Sequence, residues 1–263
     1  MTIRPSQLSG AIESVGHVNL RLGEVLDGLP VTVRPTVGVV VAVDNAASTI
    51  AHLFARLPKV DEVVLVDLGS KDDTVRFARS LWPGLVVVDG GAMDRGNALR
   101  AGSDATTSDI VVLFDGDGPG DLAELPRLLQ TLIDGADVAK GTRFADPHES
   151  GRGIGNGALL RLANAAFGTT YTDISFGYYA FWRSALDRIV LDHGGVEVDM
   201  LLALRSARAG LLVAEVPCVE SPRLDGHRKN RPVLDRFRLL KAIASEFAGR
   251  DDRGLIDPDA VAT

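Results

Sequence analysis

The stretch Asp109-Ile-Val-Val-Leu-Phe-Asp-Gly-Asp117 decides how this chain is read. Its apolar run, Ile110 to Phe114, has the length and β-branched content of a buried strand, and two carboxylates separated by one glycine follow at its end. Asp115 and Asp117 can both turn out of that strand end toward one point. A hard divalent cation such as Mg2+ or Mn2+ takes oxygen ligands of this kind and commonly completes its shell with substrate phosphates. A nucleotide diphosphate is therefore the first substrate to consider, since a bound cation neutralises charge on a departing diphosphate. Alone, Asp-x-Asp is a frequent pattern that equally suits two solvated aspartates in a turn. The order of the surrounding residues has to carry the argument.

Outward from this stretch, apolar runs of strand length alternate with segments of helical period. The runs predict strands over Val37–Val43, Val63–Val66, Leu85–Val88, Ile110–Phe114 and Ala136–Lys140, with helices over Ala47–Leu57, Asp73–Leu81, Asn97–Thr106 and Leu122–Leu132. This is the α/β pattern of a mostly parallel, Rossmann-like sheet flanked by helices. In such sheets ligands bind outside the carboxyl ends of the strands, where loops and helix amino termini supply donors. Beyond Arg143 the sequence predicts a glycine-rich loop, a helix over Ala158–Phe167, a strand over Tyr178–Trp182, a helix over Asp199–Ala209 closed by Gly210, and a strand over Leu211–Val216.

Composition narrows the class. The chain has 263 residues, 46% hydrophobic and 24% charged, which suits a soluble globular protein with a sizeable core. Its formal net charge of -7 argues against general affinity for nucleic acid, which needs a basic face. One region runs the other way. Arg223, Arg228, Lys229, Arg231, Arg236, Arg238 and Lys241 cluster near the end, which suits an anionic ligand or a solvated helix face. Cys218 is the only cysteine, so no intramolecular disulfide forms and a cytoplasmic location is the default expectation. No secretory signal is evident at the amino terminus, and no apolar stretch approaches the roughly 20 residues of a membrane span, so any membrane role is expected to be peripheral. The five histidines are scattered without the spacing of a zinc site.

Several strand ends carry the residue types of a nucleotide-sugar site, and their order matters more than any one of them. Asn45 follows the first strand, Asp67 ends the second within Val-Asp-Leu-Gly-Ser-Lys-Asp-Asp-Thr, and Asp94-Arg95-Gly96-Asn97-Ala98-Leu99 opens a helix. The paired aspartates come next, then Gly141-Thr142-Arg143, Thr172-Asp173, Gly177-Tyr178, Glu197-Val-Asp199 and the basic loop after Arg223. In this order the chain resembles the family 2 glycosyltransferases of the GT-A fold, most of all the branch of polyprenyl-phosphate sugar synthases, from about Val37 to Lys241. Where that family has Pro-Ala-x-Asn-Glu lining the nucleoside, Ala42-Val43-Asp44-Asn45-Ala46 keeps the asparagine and lacks the glutamate. Where it has Val-Asp-Asp-Gly-Ser, this chain has Leu68 at the second aspartate, and Arg95 replaces a lysine in the segment before Gly96.

The resemblance implies an inverting, metal-dependent hexosyl transfer from a nucleotide-diphosphate sugar. Residues 36–143 would form the nucleotide-sugar half and 144–248 the acceptor half, after an extension over 1–35 and before a polar tail over 249–263. Ala42, Val43, Asn45, Asp67, Arg95, Gly96, Asp115, Gly116 and Arg143 would line the donor, with Arg223, His227, Arg228 and Lys229 on its diphosphate. Asp115 and Asp117 would hold Mg2+ or Mn2+. Asp199 would be the catalytic base, with Glu197 as the substitute and Asp173 also facing the sugar. An aspartate at position 199 also suits a plain helix cap. The acceptor is expected to be a small molecule or glycan, whose hydroxyl needs a base, or a polyprenyl phosphate, which does not. A homodimer is compatible with the sequence.

Three other readings have specific sequence support. A non-catalytic nucleotide-sugar-binding homologue would explain Ala46 and Leu68. A sugar nucleotidyltransferase would share the sheet and metal, but its glycine-rich basic loop should follow the first strand, where Val43-Asp44-Asn45-Ala46-Ala47 stands instead. A dinucleotide-binding oxidoreductase is suggested by Gly153-Ile-Gly155-Asn-Gly-Ala158, which here follows the polar His148-Glu-Ser-Gly-Arg152 and not a buried strand. Trp182 is expected to pack, or to stack on a sugar if it lies on the acceptor side.

Overall fold

The computed structural model describes residues 34–116, 118, 120–143, 156–192, 194–195, 197–219 and 232–249. The site residues Asp117, Arg223, His227, Arg228 and Lys229, the Gly153–Gly155 pattern and most of the two terminal segments lie outside them. The described elements run β1 (Val37–Val43), α1 (Ile50–Arg56), β2 (Glu62–Asp67), α2 (Thr74–Leu81), β3 (Val86–Asp89), α3 (Arg95–Asp104) and β4 (Ile110–Asp115). There follow α4 (Leu125–Ile133), β5 (Val138–Thr142), α5 (Asn156–Phe167), β6 (Tyr178–Trp182), α6 (Arg183–Leu186), α7 (Val198–Arg208), β7 (Val213–Pro217) and α8 (Pro232–Phe247).

One sheet of seven strands, ordered β3-β2-β1-β4-β6-β5-β7, runs through both halves. All residues of β1 are buried, which is why its sequence is a continuous valine-rich run and not an alternation. Gly102 lets α3 settle on the sheet, because a Cβ there would lie 2.3 Å from Val40 Cγ1 and 2.8 Å from Val66 Cγ2. The register sets the functional edge. Val43 pairs with Asp67, Asp67 with Asp89, and Ala42 with Asp115, so these strand ends finish level. Strand β6 is antiparallel to both β4 and β5 and begins at that edge, Tyr178 pairing with Phe114. Its last residue, Trp182, pairs with Ile110 at the opposite edge and is buried, so Trp182 packs and is not placed to stack on a sugar.

Several boundaries move from their sequence positions, two of them for plain local reasons. Helix α1 starts three residues later than its apolar period, because Asn45 adopts a left-handed conformation (φ 54°) and Thr49 and Ile50 donate to Ala46 O in a preceding turn. Strand β5 starts at Val138, since Gly135 (φ 116°) turns the chain after α4 and pairing with β7 begins only at Val213. The sequence pattern predicted neither α6 nor α8. A second apolar cluster joins Leu159, Leu160 and Ala163 of α5 to Met200, Ala203 and Leu204 of α7 and Ile243 of α8. Beneath it, buried Arg205 reaches both Asp192 (2.7 Å) and buried Glu246 (3.2 Å), which fixes α8 on α7.

Candidate functional site

At the carboxyl ends of β1 and β2, polar side chains stitch two loops together. Asn45 Oδ1 accepts from Lys71 N (2.9 Å), and Asn45 N donates to Ser70 Oγ (2.9 Å). Ala47 N donates to Asp72 Oδ2 (3.1 Å) and Ala46 N to Thr74 Oγ1 (2.8 Å). Asp67 Oδ1 accepts from Ser70 N (3.1 Å) and closes the second loop. The Gly-Ser-Lys-Asp-Asp-Thr run therefore shapes the wall beside Ala42 and Val43. Leu68, where the family pattern has a carboxylate, packs against the main core.

The centre of the site is an arrangement the sequence did not disclose. Arg95, at the first position of α3, grips Asp199 with two hydrogen bonds, Nη1 to Oδ2 at 2.8 Å and Nη2 to Oδ1 at 3.0 Å. Its Nη2 also lies 3.5 Å from Asp115 Oδ2. One guanidinium thus joins the end of β4 to the first turn of α7. Helix α3 is set for this by Asp94, whose carboxylate caps Asn97 N at 2.9 Å. Asp199 is not a helix cap: Glu197 holds the N-cap position, with no side-chain capping bond, and the Asp199 carboxylate turns to Arg95. Burial pushes the Asp199 carboxyl above its ordinary value, with Arg95 opposing and Asp115 reinforcing the shift.

Gly177 makes the triangle possible. A Cβ there would fall 2.3 Å from Arg95 Nη2, 3.0 Å from Asp199 Oδ1 and 3.2 Å from Asp115 Cβ. Its carbonyl accepts from Asp115 N at 3.1 Å, while Gly116 N donates to Ala42 O at 3.1 Å, so the backbone around Asp115 is held from both sides. Arg95 Nε and Glu197 Oε2 are buried without a hydrogen-bond partner among the described residues.

A second clamp stands beside the first. Arg143, just beyond β5, binds Asp173 through Nε (2.6 Å) and Nη2 (2.9 Å) and reaches Ser175 Oγ (2.9 Å). Beneath it, fully buried Lys140 donates to the Asp173 carbonyl and pairs with Glu215 Oε1 at 3.0 Å. Glu215 also accepts from Thr172 N and Oγ1 (2.7 and 2.8 Å), locking the Thr172-Asp173 segment over the strand ends. The sequence held a signal for this pair, since Lys140 and Glu215 are the lone charges in the apolar runs of β5 and β7.

Burial would raise the Asp173 carboxyl, but the Arg143 hydrogen bond and charge, with Lys140, outweigh it and hold the group below its ordinary value. The unfolded chain therefore takes up this proton more readily than the folded one. The stabilisation is complete above the ordinary carboxylate pKa of about 4 and is lost as pH falls through the lower folded value. Melting curves of Asp173→Asn are expected to lose part of the acid dependence that the parent protein should show below the ordinary carboxylate pKa of about 4.

The donor set suits a hard cation. Asp115 presents a partly exposed carboxylate at a rigid strand end, and an ion of the Mg2+ class needs one or two such oxygens when substrate phosphates supply the rest. No cluster of three or more His, Cys, Asp or Glu side chains able to hold a metal occurs among the described residues.

Comparison with known proteins identifies the family and the fold. Residues 39–190, more than half the chain, match the family described as Glycosyl transferase family 2. The chain is 31% identical over 201 residues to Glycosyltransferase AglJ of Haloferax volcanii, covering 74% of this chain and 65% of that protein, just under two thirds of its length. It is 32% identical to Dolichyl-phosphate hexose transferase of the same organism (68% of this chain, 80% of the relative). With Polyprenol monophosphomannose synthase of Mycolicibacterium smegmatis it shares 30% identity (85% and 92%). The fold is that of glucosyl-3-phosphoglycerate synthase from Mycobacterium tuberculosis, solved with Mn2+, UDP-glucose and glycerol 3-phosphate, at a TM-score of 0.67 and 23% identity over 93% of this chain and 88% of that one. By sequence over most of its sheet, and by the arrangement of that sheet, the chain belongs to glycosyl transferase family 2, the glycosyltransferases of GT-A fold.

Proposed function

We propose that this protein transfers a sugar from a nucleotide-diphosphate sugar to a polyprenyl phosphate. The observation that carries the acceptor class is the pair of arginine clamps. Of the three carboxylates expected to face the sugar, Asp199 and Asp173 each spend both oxygens on a guanidinium, and the third, Glu197, has its Oε2 buried out of reach of an incoming hydroxyl. A hydroxyl acceptor needs a carboxylate that can take its proton, whereas a phosphate oxygen arrives as an anion and needs none. Two guanidinium groups at the mouth favour anions on both substrates. The names of two relatives, a dolichyl-phosphate hexose transferase and a polyprenol monophosphomannose synthase, support the same acceptor chemistry.

On this reading Asn45 and Asp67 line the nucleoside, whereas Ala42 and Val43, expected there too, are buried in β1 with their carbonyls bonded to Gly116 N and Leu68 N, and Asp115, with Asp117 by its place in the motif, would hold Mg2+ or Mn2+. The bound ion would offset charge on the diphosphate. Arg95 has an added role. Held by Asp199 and backed by Gly96, it keeps a fixed positive charge where the diphosphate departs, and such preorganised charge favours the transition state. The acceptor oxygen forms a bond to the anomeric carbon as the bond to the diphosphate oxygen breaks, inverting that carbon. No proton moves. Asp199 and Asp173 are then positioning residues.

Replacing Asp115 with alanine is expected to abolish the dependence of donor binding on Mg2+ or Mn2+ in titration calorimetry, and EDTA should reduce the parent protein to the same level; unchanged heats would remove the metal assignment. The function itself is tested by supplying labelled nucleotide sugars one at a time with a polyprenyl phosphate. Label entering the organic phase supports the reading, and its absence across uridine, guanosine and thymidine diphosphate sugars contradicts it.

A further inference from the structure

We infer that the outer faces of α5 and α8 together form a docking surface for an anionic lipid bilayer, a surface that rests on the lipid-phosphate reading above and extends it. Large apolar side chains stand in solvent here: Phe237 is 69% exposed, Phe247 65%, Leu162 46% and Leu240 44%. Single exposed apolar residues are ordinary, but three of these stand on α8 alone, with Leu162 on the helix packed against it. On α8, Phe237, Leu240, Ala244 and Phe247 follow the spacing of one helical side, bordered by buried Ile243 and turned away from buried Glu246. The two helices are locked together from beneath by Leu159, Leu160, Ala163 and Ile243, and the Phe167 and Phe247 rings meet edge to face at 6.2 Å. The face is therefore built into the fold.

Charge selects the occupant. The exposed charged residues of α5, and of α8 from Phe237 onward, are Arg161, Arg238 and Lys241, all basic, in a chain whose net charge is -7. Glu246, the acidic residue of that part of α8, is buried against Arg205 and Arg208. A second copy packed across a two-fold axis would set these cations against one another. Anionic headgroups attract them while the phenylalanine and leucine side chains enter the interface, the pattern of a helix lying in a membrane surface. Docked this way, the enzyme would meet a lipid phosphate without any spanning helix, and no helix long and apolar enough to span occurs among the described residues.

The test is sedimentation with vesicles of phosphatidylcholine, with and without phosphatidylglycerol, alongside transfer to a short, water-soluble polyprenyl phosphate. The intact protein should bind the anionic vesicles only. Arg238→Gln/Lys241→Gln should weaken binding about 25-fold, at about fivefold per charge. Phe237→Ser/Leu240→Ser should weaken it about tenfold or more. Both variants should melt like the parent and keep its turnover on the soluble acceptor. Intact protein left in the supernatant, binding equal in all variants, or a dimer in light scattering that Phe237→Ser dissolves would each overturn the docking surface. Vesicle binding with no sugar transfer by any variant would instead overturn the lipid-phosphate reading and leave the surface standing.

Discussion

Arg95→Ala is expected to lose about 100- to 1000-fold in turnover, the range seen when a preorganised charge at a transition state is removed. It should also lose stability, by about 3–5 kcal/mol, because Asp199 remains buried without the cation that donates to both its oxygens. In a chain of this size that corresponds to a fall in Tm on the order of 10 °C. The two effects have separate origins and can be separated. The double variant Arg95→Met/Asp199→Leu removes the whole ion pair and should recover most of the stability, while turnover stays at the level of Arg95→Ala. If the double variant regained turnover together with Tm, Arg95 would be a structural pair only. Arg95→Lys should fall between, since an ammonium cannot reproduce the two-pronged geometry.

Gly177→Ala is expected to damage the site more than the fold. The added methyl would stand 2.3 Å from Arg95 Nη2, the far end of a long side chain that can swing away at modest cost. Arg95 would then leave Asp199 or Asp115. Displacement of a positioned group by about 1 Å can cost about 100-fold in rate, so turnover should fall by that order. Far-ultraviolet circular dichroism should stay unchanged, and Tm should fall less than in Arg95→Ala. A Gly177→Ala variant with parental kinetics would mean that the Arg95 triangle does not govern the chemistry.

The parts of the fold legible in the sequence were those whose signal is local. Strands β1 and β4 are apolar throughout because both faces are covered, and an acid directly after such a run, as at Asp67 and Asp115, marks a strand end at the functional edge. Gly210 closes α7 in the left-handed conformation its position suggested (φ 66°). The Arg95–Asp199 pair was hidden because its partners lie 104 residues apart and each has a sufficient local explanation, one as the first residue of a helix and the other as a cap. Gly177 was hidden for a related reason: what it avoids is a side chain from another element. Helix α8 escaped notice because its pattern mixes a buried stripe of Ile243 and Glu246 with exposed phenylalanines, which blurs the usual contrast between a polar and an apolar side. Trp182 packs as first expected, and the alternative of stacking on a sugar falls by direction, since a strand antiparallel to its neighbours carries its last residue away from the site.

The account turns on an anionic acceptor that needs no base. Initial rates of sugar transfer to a polyprenyl phosphate and to the corresponding free polyprenol, measured with the same donor and divalent ion, test this most directly. Transfer to the phosphate with none to the alcohol is the predicted result. Equal or faster transfer to the alcohol, abolished by Asp199→Asn, would contradict it and make Asp199 the base.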